Sequence, residues 1–236
     1  GGMAECPENT MSAFKRSAEL EVDILEIDLR TSKDGQLFIL HDKTLDRTTN
    51  GTGLATALSM EELKQLDAGS WFDSAYSTER IPSFKEALEW AKAEEITLLL
   101  DLKESSREYA TQIANEIRRY GSEDKIVVGI RSPDQSKVFR ELLPKSAQLG
   151  FMSSQDDIEV YAKAGVDVIR LWNHWLENDL MLANRVREAG VKLMINGTVG
   201  DEEEAKVLLS FSPDWILIDD PARLKKSLKL RSTNSE

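Results

Sequence analysis

The sequence predicts an α/β fold of repeated βα units, either a TIM barrel or a doubly wound parallel sheet. Three observations carry that expectation. Helix-like segments alternate with short apolar runs almost throughout the 236 residues. The apolar runs are near-continuous, as parallel strands buried on both faces are. Charged and polar residues gather where those runs end, which is where a barrel keeps its chemistry.

The elements follow in order. Asn9 is placed to cap a helix over residues 9–20, with Met11, Phe14 and Ala18 on one face. A strand over 23–29 leads through Asp34-Gly35, a turn signal, to a strand over 36–40. Residues 42–82 break the rhythm with DRTTNGTG and the loop DAGSWFDSAYSTERIP. Ser59 with Glu62 fits a capping box for a short helix over 59–66. A long insertion of this kind at a βα junction is usually functional or a covering lobe.

The alternation then resumes, with helices expected over 83–93, 106–120, 133–142, 155–164, 176–189, 202–210 and 222–228. The strands between them fall at 96–102, 125–130, 147–151, 167–172, 191–196 and 215–218. Seven of the strands are of barrel type, so an eighth is expected before Gly1. The polar tail 231–236 is expected to fray.

Composition narrows the function. A hydrophobic content of 41% supports one substantial core. A net charge of −12 repels phosphate backbones, so nucleic acid is not an expected partner. No apolar run reaches the length of a membrane span, and no secretory signal is visible. A cytoplasmic location is therefore expected, with the natural N-terminus unseen. The single cysteine, Cys6, allows no internal disulfide and reads as incidental, having no identifiable activating partner.

The stretch ILEIDLRTSKDGQLFILHD, residues 24–42, is the most informative. Glu26 and Asp28 are two apart in a strand and so share a face. Paired carboxylates in apolar surroundings call for a cation, and a hard divalent ion is the simplest. The next apolar run delivers His41, a candidate acid/base group. Asp101 ends another strand, with Lys103 on its face, suited to an anionic substrate such as a phosphate. Arg131, Met152, Arg170–His174 and Asn196 mark further strand ends. Together these point to metal-assisted hydrolysis of a phosphate ester. Each piece also has a structural reading. His41-Asp42 fits a turn whose aspartate caps local backbone, Asp101 with Lys103 fits an ion pair, and Trp172 could simply seal a barrel mouth. Asp220-Pro221 reads as a helix start, and Asp201–Glu204 as a solvated first turn.

PENTMSAF, ILEIDLRTSKDG, LHDKTLDRTTNGTG, LDAGSWF, RIPSFKEAL, LLLDLK and WILIDDPARL together resemble the glycerophosphodiester phosphodiesterases. The resemblance implies a TIM (β/α)8 barrel with a small inserted lobe, here residues 43–82 of a single domain spanning 1–236. It implies hydrolysis of glycerophosphodiesters to glycerol 3-phosphate and an alcohol, in lipid and glycerol metabolism. Glu26, Asp28 and Asp101 correspond to ligands of a divalent metal, Mg²⁺ or Ca²⁺, with Asp101 standing where a longer glutamate is common. Lys103 corresponds to a phosphate contact and His41 to one of two catalytic histidines. Arg131 and Trp172 complete the expected substrate contacts. The expected partner is a small-molecule phosphodiester, with homo-oligomerisation left open. The family's His-Arg-Gly motif would end at Gly1, so its histidine, its arginine and the first strand are expected just upstream. Its late tryptophan is replaced by Met194. Two alternatives stand beside this reading. One is a non-catalytic phosphate-binding relative lacking that histidine and arginine. The other is a phosphodiesterase of the same fold acting on lysophospholipids, for which Trp71–Tyr76 is the one aromatic docking candidate.

Overall fold

Helix α1, Met11–Glu19, buries Phe14 completely, with its ring 5.6 Å from that of Trp90. Burial of such a side chain stabilises by roughly 1.5–3 kcal/mol. The expected cap is corrected here. Thr10 is the N-cap, its hydroxyl accepting from Ala13 N at 3.3 Å. Asn9 has left the helix: it sits at φ 55, in the left-handed region that asparagine tolerates, and its side chain crosses to Asp28.

The structure, a computed structural model, describes residues 4–233. These form two compact units, one reaching Val128 and including Leu142–Ser146, the other Gly129–Glu141 with everything from Ala147. The first unit is built on β1 (Ile24–Thr31), β2 (Leu37–Ile39), β3 (Thr97–Leu102) and β4 (Ile126–Ile130), the last ending at the boundary. β2 turns back antiparallel to β1, pairing Leu29 with Ile39, around Gly35 at φ 78. β3 lies parallel to β1 and puts Asp28 beside Asp101; β4 follows β3 in parallel. Leu25, Ile27 and Leu29 of β1 and Leu98, Leu100 and Leu102 of β3 are buried. Two helices, α3 (Phe84–Ala93) and α4 (Arg107–Tyr120), complete the βα units.

Between β2 and α3, residues 43–82 hold one α-helix, α2 (Met60–Gln65), and two single 3₁₀ turns. The expected capping box is present: Ser59 Oγ accepts from Glu62 N and Glu62 Oε2 accepts from Ser59 N. Leu45, Ala55, Met60, Leu63, Ala68 and Ile81 pack on Phe38 and Leu40. The TTNG segment is tied down locally. Thr49 Oγ1 donates to Leu45 O at 2.7 Å, and Asn50 joins Asp67 through both backbone and side chain. Gly51 sits close against Leu66 and Leu45, so a Cβ there would lie 3.0 Å from a Leu66 methyl and require those side chains to shift.

The second unit contains α5 (Pro133–Leu142, from the boundary), β5 (Ala147–Gly150), α6 (Ile158–Lys163), β6 (Val168–Trp172), α7 (Asn173–Asn178), α8 (Leu182–Glu188), β7 (Lys192–Asn196), α9 (Glu202–Ser210), β8 (Trp215–Leu217) and α10 (Pro221–Thr233). Strands β5 to β8 pair in parallel, each with the next. Three expectations change. The helix expected over 155–164 opens with a 3₁₀ turn, Gln155–Asp157. The helix expected over 176–189 is two helices, because Asp179 ends the first with extended backbone and accepts Met181 N on its own side chain. α10, started by Asp220 accepting from Arg223 N, continues past residue 228 to Thr233. Of the tail expected to fray, residues 234–236 lie outside the described residues, as does Gly1. No helix among the described residues is long and apolar enough to cross a membrane.

Candidate active site

Alternation along β1 sends Glu26, Asp28 and Arg30 to one face, and β3 sends Asp101 and then Lys103 to its matching face. Because Asp28 and Asp101 are register partners, their carboxylates meet. Lys103 lies between them, its Nζ 2.6 Å from Asp28 Oδ1 and 2.8 Å from Asp101 Oδ2. One oxygen each of Glu26, Asp28 and Asp101 lies within 4.8 Å of the others. Asn9 Nδ2 donates to Asp28 Oδ2 at 2.8 Å and completes the hold on the second oxygen.

The three carboxyl groups titrate differently because their surroundings differ. Burial, reinforced by the charge of Asp28, pushes Glu26 up to about 8. Burial would raise Asp28 too, but the Lys103 ammonium and the Asn9 hydrogen bond overcome it and hold Asp28 below the usual carboxylate range. Lys103 is raised in turn, since Asp28 and Asp101 outweigh its own burial. Among the described residues, Lys103 is the ammonium that reaches both Asp28 and Asp101, and burial favours the protonated form of Glu26. Carboxylate oxygens gathered this closely would hold a hard divalent cation such as Mg²⁺ or Ca²⁺. The donor set is all oxygen and fits the expected metal.

His41 follows β2 and is held by two groups. Arg30, buried, donates to Leu40 O at 3.0 Å and His41 O at 2.5 Å, which fixes the backbone. Leu40 N donates to Asp28 O at 3.0 Å, tying this segment to β1. Asp42 does not cap local backbone as the turn reading expected. Its Oδ1 lies 2.7 Å from His41 Nδ1, and Arg47 grips both of its oxygens. Arg47 hydrogen bonding, the largest influence, holds Asp42 well below the usual carboxylate range. Arg47 also reaches Glu8 with two bonds of 2.7 Å.

The remaining expected contacts belong to the second unit. Arg131 is exposed after β4, with its guanidinium 5.2 Å from the Phe151 ring. Arg170 stacks between Phe151 and Trp172, at 4.6 and 3.9 Å, and Trp172 stacks on His174. Glu204, expected in a solvated first turn, instead accepts from the backbone of Thr198, Val199 and Gly200. Cys6 is buried, its Sγ 3.5 Å from Tyr76 Oη.

Reading the sequence missed the site contacts of Glu8, Asn9, Arg30 and Arg47. Glu8 and Asn9 sit in PENTMSAF and Arg47 in DRTTNGTG, so the motifs marked them without giving their partners.

The glycerophosphoryl diester phosphodiesterase family matches residues 1–223. A glycerophosphodiester phosphodiesterase from Caldanaerobacter subterraneus is 29% identical over 228 residues, 95% of this chain and 93% of that protein. Among solved structures, an Oleispira antarctica phosphodiesterase in complex with the product sn-glycerol-3-phosphate aligns with TM-score 0.85 at 26% identity, over 97% of this chain and 94% of that one. A glycerophosphodiester phosphodiesterase from Agrobacterium tumefaciens aligns with TM-score 0.81 at 25% identity, over 95% of each. The fold is thus the TIM-like α/β fold of these proteins, which resolves the choice between barrel and doubly wound sheet. The chain belongs to the glycerophosphoryl diester phosphodiesterase family and is a phosphoric diester hydrolase.

Proposed function

We propose that the protein hydrolyses glycerophosphodiesters to glycerol 3-phosphate and an alcohol, using a divalent cation, Mg²⁺ or Ca²⁺, held by Glu26, Asp28 and Asp101. The Asp28–Asp101 register carries this reading, because it gathers three carboxylate oxygens within 4.8 Å. The cation, when bound, supplies Lewis-acid polarisation of a phosphoryl oxygen. Asn9 and Lys103 keep Asp28 ionised and oriented as a ligand. Lys103 also carries the positive charge that neutralises substrate phosphate. His41 gives Nδ1 to Asp42 and so keeps Nε2 for moving a proton at the reacting oxygen. Arg131 and Trp172 are the proposed substrate contacts of the second unit, a cation for the anionic group and a ring for packing. Residues 43–82 are proposed as an inserted lobe whose Arg47 reaches back to Asp42.

Release of glycerol 3-phosphate from glycerophosphocholine, measured after chelator treatment and again after Mg²⁺ or Ca²⁺ addition, tests this. Release only with the cation is expected. Equal release with and without it overturns the metal assignment. Hydrolysis of lysophosphatidylcholine alone overturns the substrate class.

A further inference from the structure

We propose that Arg47, seated on buried Glu8, is the positioning residue that fixes the Asp42 carboxylate and, through it, the orientation and tautomer of His41. The inference deepens the proposed hydrolysis and rests on His41 being its acid/base group. Four side chains from three stretches form one chain of contacts. Glu8 precedes α1, His41 and Asp42 follow β2, and Arg47 lies in the loop beyond. Arg47 Nη1 and Nη2 donate to the two oxygens of Glu8, both at 2.7 Å. Its other edge donates to Asp42, from Nε at 2.7 Å and from Nη2 at 3.0 Å. The planar guanidinium is therefore used as a fork on both sides, which a lysine cannot reproduce.

Side-chain exposure runs from 6% at Glu8 through 27% at Asp42 and 43% at Arg47 to 56% at His41. An exposed, isolated His–Asp neighbour pair is worth little and would sample several geometries. Anchored on an almost fully buried carboxylate, the same pair has one. Arg30 already holds the backbone carbonyl of His41, so the ring angle is what remains to be set. An ionised carboxylate only accepts hydrogen bonds, so in the neutral ring Nδ1 carries the proton and Nε2 presents its lone pair. Arg47 keeps Asp42 in the ionised, oriented state that makes this so. Without Arg47, Asp42 can rotate away, and Glu8 is stranded in a buried position.

The test uses histidine labelled with ¹⁵N. The chain has two histidines, so His174→Gln leaves the ring signals of His41 alone. Wild-type spectra should show the Nδ1–H tautomer. Arg47→Met should shift the ring nitrogens toward a tautomer mixture and lower kcat about 10- to 100-fold, with KM within about twofold. Arg47→Lys should fall between. Glu8→Gln/Arg47→Met removes the stranded carboxylate, so thermal stability should return toward wild type while kcat and the ring signals stay as in the single variant. Wild-type kcat and ring signals in Arg47→Met overturn the proposal. So does recovery of kcat together with stability in the double variant, which would make Arg47 structural only. The ring signals need no turnover. An inactive wild-type protein therefore overturns the proposed hydrolysis, while the spectra still decide the positioning role.

Discussion

Asp28 and Asp101 are held still by the sheet: neighbouring backbone bonds fix their register, and their side chains are mostly buried around Lys103. His41 stands on a loop, more than half exposed, and is held by a hydrogen bond to Asp42, which ion pairs through Arg47 link back to Glu8. One part of the site is fixed by strand pairing and the other by long side chains spanning 39 positions of sequence. The Asp28–Asp101 register can be lost only if β1 and β3 separate. The histidine can be misaligned by losing one guanidinium. On the proposed reading, a rigid metal seat beside an adjustable acid/base group would divide the work between placing the phosphate and moving protons.

The largest expected effect breaks the adjustable part. His41→Ala should lower kcat by about 10²–10⁴-fold and leave thermal stability near wild type, since the ring is exposed and its removal opens no cavity. Activity within a few-fold of wild type in that variant would remove His41 from the mechanism. Next comes the rigid part. Asp28→Asn should lower activity by about 10²–10³-fold and also destabilise, by roughly 1.5–3 kcal/mol for a charged hydrogen-bonding partner lost near Lys103. Denaturant melts of the two variants should therefore differ even though both lose turnover; equal stability would erase the distinction drawn between the two regions.

Asn9→Ala removes the hydrogen bond to Asp28 and places alanine at φ 55, which asparagine tolerates better. A loss of about 1–3 kcal/mol is expected, together with weaker cation binding by calorimetry. Unchanged cation affinity would show that β1 alone orients Asp28.

The effect least tied to turnover is in pH. Glu26 would release its proton near 4.5 in the unfolded chain and near about 8 in the folded one. Between those values the folded state holds the extra proton, so stability in the absence of divalent cation should fall as pH rises through that window. Glu26→Gln should flatten that part of the stability profile, and an unaltered slope would mean that Glu26 is not the group responsible. Asp28 acts in the opposite sense. Its depressed value adds stability above the unfolded carboxylate range, and that stability is lost as pH falls through the folded value.

The same contrast explains what could be read from the sequence. Period-two spacing is enough to place Glu26 with Asp28, and Asp101 with Lys103, because strand faces are set locally. The strands and the capped helix α2 were legible for the same reason. Asn9 was read as a cap because asparagine favours that position, and nothing local shows a side chain crossing to a strand 19 residues on. The partnership of Glu8 with Arg47 is likewise set by tertiary contact, so both motifs could be noticed without their geometry. The break at Asp179 was hidden by a helical pattern that continues through it.

Calorimetric titration of Mg²⁺ and Ca²⁺ into chelator-treated protein, alongside glycerol 3-phosphate release, tests the central assignment most directly. The account predicts one cation per chain, saturating over the range that restores hydrolysis, with both lost in Asp28→Asn and Asp101→Asn. Wild-type cation binding in those variants, or full hydrolysis with no divalent cation present, would contradict it.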